Sequence, residues 1–287
     1  MSEAGALPLD PIEVEAFIEA VIAEDLGSGD RTSQATVSAE EPLTAAMVAR
    51  ESLVVAGLPL AVEVFRHFDP DAEIDIHATD GNAAAAGDAL LTISGHARAV
   101  LAAERPALNI VQHLSGIATL TRAYVEAIAG TGAVLLDTRK TVPGLRRLAK
   151  YATRLGGAQN HRMGLYDAVL IKDNHIAASG GIVQAIAKAR AAGEAQIEVE
   201  CDMLDQARAA VAAGADRLLL DNMTTDELRR AVLEVNGRIP LEASGGVTLE
   251  NIRAIAETGV DYISVGRITQ SAPAVDIGLD TDRPGSE

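Results

Sequence analysis

From about residue 131 onward one unit recurs: a short aliphatic or β-branched run, a polar or glycine-rich turn, then an amphipathic stretch with helical spacing. The runs fall at residues 133–136, 168–171, 197–199, 217–220, 240–243 and 262–265. The spacing predicts helices over 144–155, 179–192, 203–213, 225–235 and 248–258. Near-continuous apolar strands that alternate with helices are buried on both faces, the pattern of a parallel sheet covered by helices. Six such units suit an α/β barrel better than an open sheet. Each run also ends in chemically loaded residues: Asp137 to Lys140, Lys172-Asp173-Asn174, Glu200, Asp221, Ser244-Gly245-Gly246 and Gly266-Arg267. In a barrel these ends converge on the C-terminal mouth, where barrel enzymes place their active sites.

The first 110 or so residues follow another pattern. Short candidate strands at 43–50, 53–56, 74–78 and 89–93 are separated by turn signals such as Asp80-Gly81-Asn82 and Ala86-Gly87-Asp88, which predicts an antiparallel sheet with flanking helices. The chain is therefore expected to divide into an α+β domain over 1–110 and a barrel domain over 111–272. A helical region over 97–129, expected to break at Pro106 and Gly116, links them. The acidic tail from residue 273 is expected to pack back on the first domain.

A formal net charge of −17 disfavours nucleic acid or an anionic membrane as partner, because both need a broad positive face. No apolar run approaches the roughly 20 residues that cross a bilayer, and the first ten residues lack the basic start and apolar stretch of a signal peptide. A cytoplasmic location is expected. The lone Cys201 excludes an intrachain disulfide. Only four lysines stand among 24 cations, against 41 acids, a balance that suggests adaptation to high salt, where counterions screen self-repulsion. Against that background residues 137–175 carry eight Lys or Arg and three acids, a local net charge of +5. Two of the four lysines, Lys140 and Lys172, lie in the polar motifs of this island, which points to an anionic ligand.

Arginine captures carboxylates with a planar fork and lysine offers a compact charge to phosphate, so Arg139, Arg162, Lys140 and Lys172 suit a ligand bearing both groups. Arg146, Arg147, Lys150 and Arg154 have helical spacing and read as a solvated face that adds only to the field. The glycines of Ser244-Gly245-Gly246, placed before a helix, and Gly266 either permit tight turns or hold a phosphate with backbone N–H groups. Their place on the last two strands favours the phosphate. Glu200 and Asp221 end adjacent strands, where carboxylates are either simply solvated or hold magnesium or a sugar hydroxyl. The facing cations favour the second reading. Asp173 either assists these acids or orients Lys172 by pairing with it. The six histidines show no metal spacing, and only His161, beside Arg162, is read as functional.

With Glu24 to Thr32, Glu104-Arg105, His113-Leu114-Ser115-Gly116, Asp137-Thr138-Arg139-Lys140-Thr141, Asn160-His161-Arg162, Ile171-Lys172-Asp173-Asn174-His175, Glu198-Val199-Glu200, Leu220-Asp221-Asn222, Ser244-Gly245-Gly246 and Val265-Gly266, the chain resembles the quinolinate phosphoribosyltransferases over nearly its whole length. The resemblance implies a type II phosphoribosyltransferase: an N-terminal α/β sandwich joined to an incomplete α/β barrel, working as a homodimer with shared sites or as a higher homo-oligomer. It implies transfer of the phosphoribosyl group of phosphoribosyl pyrophosphate to quinolinate with decarboxylation. The products would be nicotinate mononucleotide, pyrophosphate and CO2, made with Mg2+ in NAD biosynthesis.

By motif match, Arg139, His161 and Arg162 would hold the pyridine dicarboxylate, joined by Arg105 donated from the partner subunit. Lys140 and Lys172 would meet carboxylate or pyrophosphate, and Glu200 and Asp221 the ribose hydroxyls and Mg2+. Those four form the implied catalytic set. Ser244, Gly245, Gly246 and Gly266 would bind the 5-phosphate, and Thr138, Val265 and Arg267 complete the substrate-binding set. Ala158, Arg267 and Gln270 depart from the family pattern, where glycine, a small residue and histidine are expected. The alternatives are a same-fold paralogue acting on another pyridine, either a nicotinate phosphoribosyltransferase or a molybdenum-operon paralogue, and a non-catalytic phosphosugar-binding barrel. Arg105, Arg139 and Arg162 together favour a dicarboxylate acceptor, and the paired acids Glu200 and Asp221 argue against a scaffold.

Overall fold

The computed structural model describes residues 6–281, which group into two compact units. One holds the residues up to Leu120, Arg147–Gly156 and the segment from Ser271; the other holds Thr121–Arg146 and Gly157–Gln270. The first unit contains strands β1 (Pro42–Ala49), β2 (Leu53–Val54), β3 (Glu73–Ile76), β4 (Ala83–Ala84) and β5 (Ala89–His96). The second contains β6 (Val134–Leu136), β7 (Val169–Ile171), β8 (Ile197–Cys201), β9 (Arg217–Asp221), β10 (Leu241–Ser244) and β11 (Tyr262–Ser264). A last strand, β12 (Ile277–Thr281), belongs to the first unit.

In the first unit an antiparallel sheet runs β12-β1-β5-β3, and β2 pairs with β4. Ala45, Met47 and Ala49 alternate into the core along β1, as the two-residue strand period requires. The tail adds β12 to the edge of β1, with Ala45 opposite Thr281 and Ala49 opposite Ile277. The boundary expected at residue 110 falls inside one continuous helix, Ala97–Ala127, which passes through both Pro106 and Gly116. Burial of Leu108, Val111 and Leu114 holds the helix together where Pro106 removes a hydrogen bond. Gly116 is a packing residue, not a break: a Cβ there would collide with the Pro273 carbonyl of the tail.

The helix Arg146–Gly156 also departs from expectation. Its basic residues do not form a solvated face: Lys150 is fully buried, as are Tyr151 and Ala152. The Tyr151 hydroxyl donates to Asp80 at 2.8 Å, and Asp80 in turn accepts from the amides of Gly57 and Leu58 at the start of the helix Leu58–Phe68. Burial raises the Asp80 pKa against those hydrogen bonds.

In the second unit the six apolar runs form one parallel sheet, ordered β6-β11-β10-β9-β8-β7. A cavity of about 580 Å³ is lined from β6, β7, β8, β9 and β11, and by Pro240 just before β10, so the strands surround it. Among the described residues no ladder joins β7 to β6. The segment at Gln159 lies there instead, pairing with Leu136 as an isolated parallel bridge. The unit is thus an incomplete α/β barrel. Two helices, Asp173–Ser179 and Ile182–Ala191, replace the single one expected over 179–192, because Gly180 and Gly181 both take positive φ and interrupt the turn pattern.

Candidate active site

The strand ends are assembled by polar residues whose work is local. Asp137 is fully buried at the end of β6 and brackets the motif that follows Gln159: Oδ1 accepts the His161 amide at 2.9 Å and Oδ2 the Asn160 side chain at 2.6 Å. The loop after Asp137 is fixed by the Lys140 amide donating to Thr138 Oγ1 at 3.0 Å, and by Thr269 Oγ1 donating to the Lys140 carbonyl at 2.7 Å. Arg146 ties the neighbouring loops, donating to Thr141 Oγ1 at 3.1 Å and to the Met163 carbonyl at 3.3 Å. It is a brace, not background field.

Arg139 and Arg162 lie near enough for their charges to act on each other. The Arg139 Nε is buried without a hydrogen-bond partner. Burial and then the nearby charge of Arg139 lower the pKa of Arg162, while Glu198 and Asp167 pull it upward. Arg162 spends one donor on the Ala168 carbonyl at 3.1 Å. Two guanidiniums that repel each other, with donors to spare, suit bidentate capture of a carboxylate.

Lys172 pairs with Glu200 across β7 and β8, and not with Asp173 as the sequence allowed; Asp173 accepts the Asn174 amide at 2.7 Å. At the end of β9, Asp221 accepts from the Asn222 side chain at 2.6 Å. Asn222 has φ 57, and its amide donates to Ser244 at 2.9 Å. Gly245, at φ 89, packs so closely on it that a Cβ would lie 2.8 Å from the Asn222 backbone nitrogen. The Ser244-Gly245-Gly246 turn does not lead straight into a helix as expected: the next one, Ile252–Ala256, starts six residues past Gly246. Any anion there meets backbone amides of the loop, without a helix end. At Gly266 a Cβ would come within 2.8 Å of Lys140 Cδ. Val265 is buried, its amide donating to the Leu136 carbonyl, and Arg267 is exposed. Arg105 lies in the first unit on helix Ala97–Ala127, its side chain 63% exposed and 3.4 Å from Glu104.

His161 is oriented differently from the other expected ligand residues. Its Nδ1 accepts the Arg162 amide at 2.7 Å, and its Nε2 stands 3.3 Å from Glu198 and 3.6 Å from Glu242, inside the barrel. Arg217 and Glu242 were not singled out from the sequence, and Glu198 stood there only as part of a family motif without a role. Arg217 Nε lies 3.0 Å from Glu198, its Nη2 pairs with Glu242, and its guanidinium stacks 4.1 Å over the Tyr262 ring. Burial, and then the charge of Glu198, raise the Glu242 pKa to about 7. Glu198 shifts the other way: burial opposes it, but the His161 hydrogen bond and the Arg217 charge hold it low. Alternation could have exposed these residues, because Glu198 shares its strand face with Glu200, and Glu242 with Ser244.

Residues 30–115 match the N-terminal domain of quinolinate phosphoribosyl transferase, and residues 117–280 match its C-terminal domain. The chain belongs to the quinolinate phosphoribosyl transferase family. Family relatives include the nicotinate-nucleotide pyrophosphorylase [carboxylating] of Mycobacterium leprae, 47% identical over 92% of this chain and 95% of the relative. Another is the probable nicotinate-nucleotide pyrophosphorylase [carboxylating] of Bacillus subtilis, 43% identical over 95% and 94%. The solved nicotinate-nucleotide pyrophosphorylase of Francisella tularensis superposes with a TM-score of 0.92 at 38% identity, covering 98% of this chain and 100% of that one. Human nicotinic acid phosphoribosyltransferase, at 14% identity and a TM-score of 0.66, shares the fold alone. Among the described residues no helix is long and apolar enough to cross a membrane.

Proposed function

We propose that this chain transfers the phosphoribosyl group of phosphoribosyl pyrophosphate to quinolinate and releases CO2, giving nicotinate mononucleotide and pyrophosphate for NAD biosynthesis in the cytoplasm. The observation that carries the reading is the Arg139–Arg162 pair, two mutually repelling guanidiniums, in a unit whose strand ends also bring Lys172 against Glu200. One acceptor carboxylate would meet the forks of Arg139 and Arg162. Arg105 of a second copy would meet the other, in a homodimer with shared sites. The amides from Ser244 to Gly246 and at Gly266 would hold the 5-phosphate.

Departure of pyrophosphate leaves positive charge on the ribose C1. Lys140 and Lys172 would stabilise the departing anion, and Glu200 and Asp221 would tolerate the cationic sugar and hold its hydroxyls. Releasing Lys172 from Glu200 as substrate arrives would free both groups for those tasks. The pyridine nitrogen attacks C1 with its lone pair, which makes the ring cationic. The C2 carboxylate then leaves as CO2, its bonding electrons remain on C2 beside that nitrogen, and a proton from solvent completes the product. Holding both polyanions in line supplies much of the acceleration, on the order of 7–11 kcal/mol for well-placed reactants. Glu200 and Asp221 also fit Mg2+, a hard ion usually held by one or two carboxylates together with substrate phosphates, and bound there it would add charge against the leaving pyrophosphate.

The test is one assay: protein, Mg2+ and phosphoribosyl pyrophosphate with quinolinate or with nicotinate, following CO2 and mononucleotide. Turnover with quinolinate is expected; turnover with nicotinate alone, or none at low and high salt, refutes the reading. Mixing Arg105→Ala with Lys172→Ala protein restores part of the activity if sites are shared between subunits.

A further inference from the structure

Barrel interiors are normally filled by layers of Val, Ile and Leu. Here the strands β8, β9 and β10 instead send Glu198, Arg217 and Glu242 inward to one point, and His161 meets them from the segment beside β6. A buried ion network of this kind contributes little stability that apolar side chains of the same volume would not. Its geometry is nonetheless closely specified. Arg217 is held by Glu198 at 3.0 Å, by Glu242, and by the Tyr262 face at 4.1 Å. The His161 Nε2 stands within 3.6 Å of both carboxylates.

A divalent cation could use the same donors, since the ligand atoms of His161, Glu198 and Glu242 lie within 4.8 Å of one another. Arg217 already pairs with both carboxylates from that position, so the cluster is closed to a metal. The other end of His161 supplies the function. Its Nδ1 accepts the amide of Arg162 at 2.7 Å, which puts the imidazole proton on Nε2, facing the acids.

We propose that Glu198, Arg217 and Glu242 are positioning residues: they anchor His161 in its Nε2–H tautomer, and His161 fixes the backbone from which Arg162 reaches the acceptor. The proposal rests on Arg162 binding the acceptor as argued above. It makes the barrel interior a support for one arm of the acceptor pocket, with no contact of its own to the reacting atoms.

Nitrogen NMR of histidine-labelled protein is the first test, with Nδ1 of His161 expected to be unprotonated and Nε2 protonated. A proton on Nδ1 in the unaltered protein overturns the proposal, whether or not any variant folds. Glu198→Gln should raise the quinolinate KM about ten- to hundredfold, the scale of a misaimed substrate clamp, and the phosphoribosyl pyrophosphate KM by less than about twofold. In a His161→Ala background the same change should add nothing. Equal rises in both KM values, or additive effects in the double variant, reduce the cluster to a structural role and overturn the proposal. Absence of quinolinate turnover in the unaltered protein would sink the proposed function, while the tautomer would still decide the anchoring.

Discussion

Two charged layers of the same barrel, one step apart along the strands, are built on opposite rules. In the lower layer Glu198, Arg217, Glu242 and His161 answer one another inside the protein. Among the described residues Arg139 and Arg162 form no ion pair with an acid, and burial, then the charge of Arg139, lowers the pKa of Arg162. The same residue types therefore mean different things. A charge matched within the chain holds the barrel in shape, whereas under the proposed function a cation set against another cation would be matched by substrate. Removing the cation of the lower layer should cost stability as well as acceptor binding; removing one from the rim should cost activity alone.

The largest effect is expected in the closed layer. Arg217→Met leaves two buried acids without their cation and should lower the unfolding free energy by about 3–5 kcal/mol, read from denaturant midpoints. The open layer should answer differently: Arg139→Ala should lower kcat/KM about 10²–10³-fold, or roughly 2.7–4 kcal/mol, with the melting temperature unchanged or raised. A large stability loss there would break the comparison. Gly245→Ala forces a side chain against Asn222 at positive φ and should cost about 1–3 kcal/mol of folding stability, together with weaker phosphoribosyl pyrophosphate binding by calorimetry.

A smaller effect concerns pH. Glu242 is raised from 4.5 to about 7, so the folded state holds a proton that the unfolded state releases. Its contribution is fully present below pH 4.5 and is lost as pH rises towards 7. Glu198, held low, contributes in the opposite sense near its ordinary range. Glu242→Gln should flatten the fall in melting temperature between pH 4.5 and 7. The smallest effect expected is that of molar salt, which should raise stability by less than about 1 kcal/mol through screening of the −17 charge. No gain would remove high-salt adaptation as the reason for the scarcity of lysine.

Much of the barrel is legible because parallel strands buried on both faces leave apolar runs that nothing else in the chain imitates. Lys172, Glu200, Asp221 and Ser244 are legible for the same reason: each stands where such a run stops. Glu198 and Glu242 are harder to read: an acid within a run looks like an interruption, and only its alternation with Glu200 or Ser244 hints at the face it shares. Lys150 misleads in the converse way. Its spacing with Arg146, Arg147 and Arg154 suggests a wet helix face, yet it is fully buried. Asp173 stands next to Lys172 in sequence, but Glu200 reaches the amine across the sheet. Local sequence shows which residues are near a strand end, and only the curvature of the sheet decides which of them meet.

The pairing of β12 with β1 sets a timetable. The first sheet gains its edge strand only after the six barrel strands have left the ribosome, since residues 277–281 lie beyond all of them. Until then β1 offers an unpaired row of amides and carbonyls, and the Gly116 notch in its helix stands without the Pro273 backbone that fits it. A chain cut short after residue 270 would hold all six barrel strands but an unfinished first sheet, the kind of intermediate that chaperones hold and proteases find.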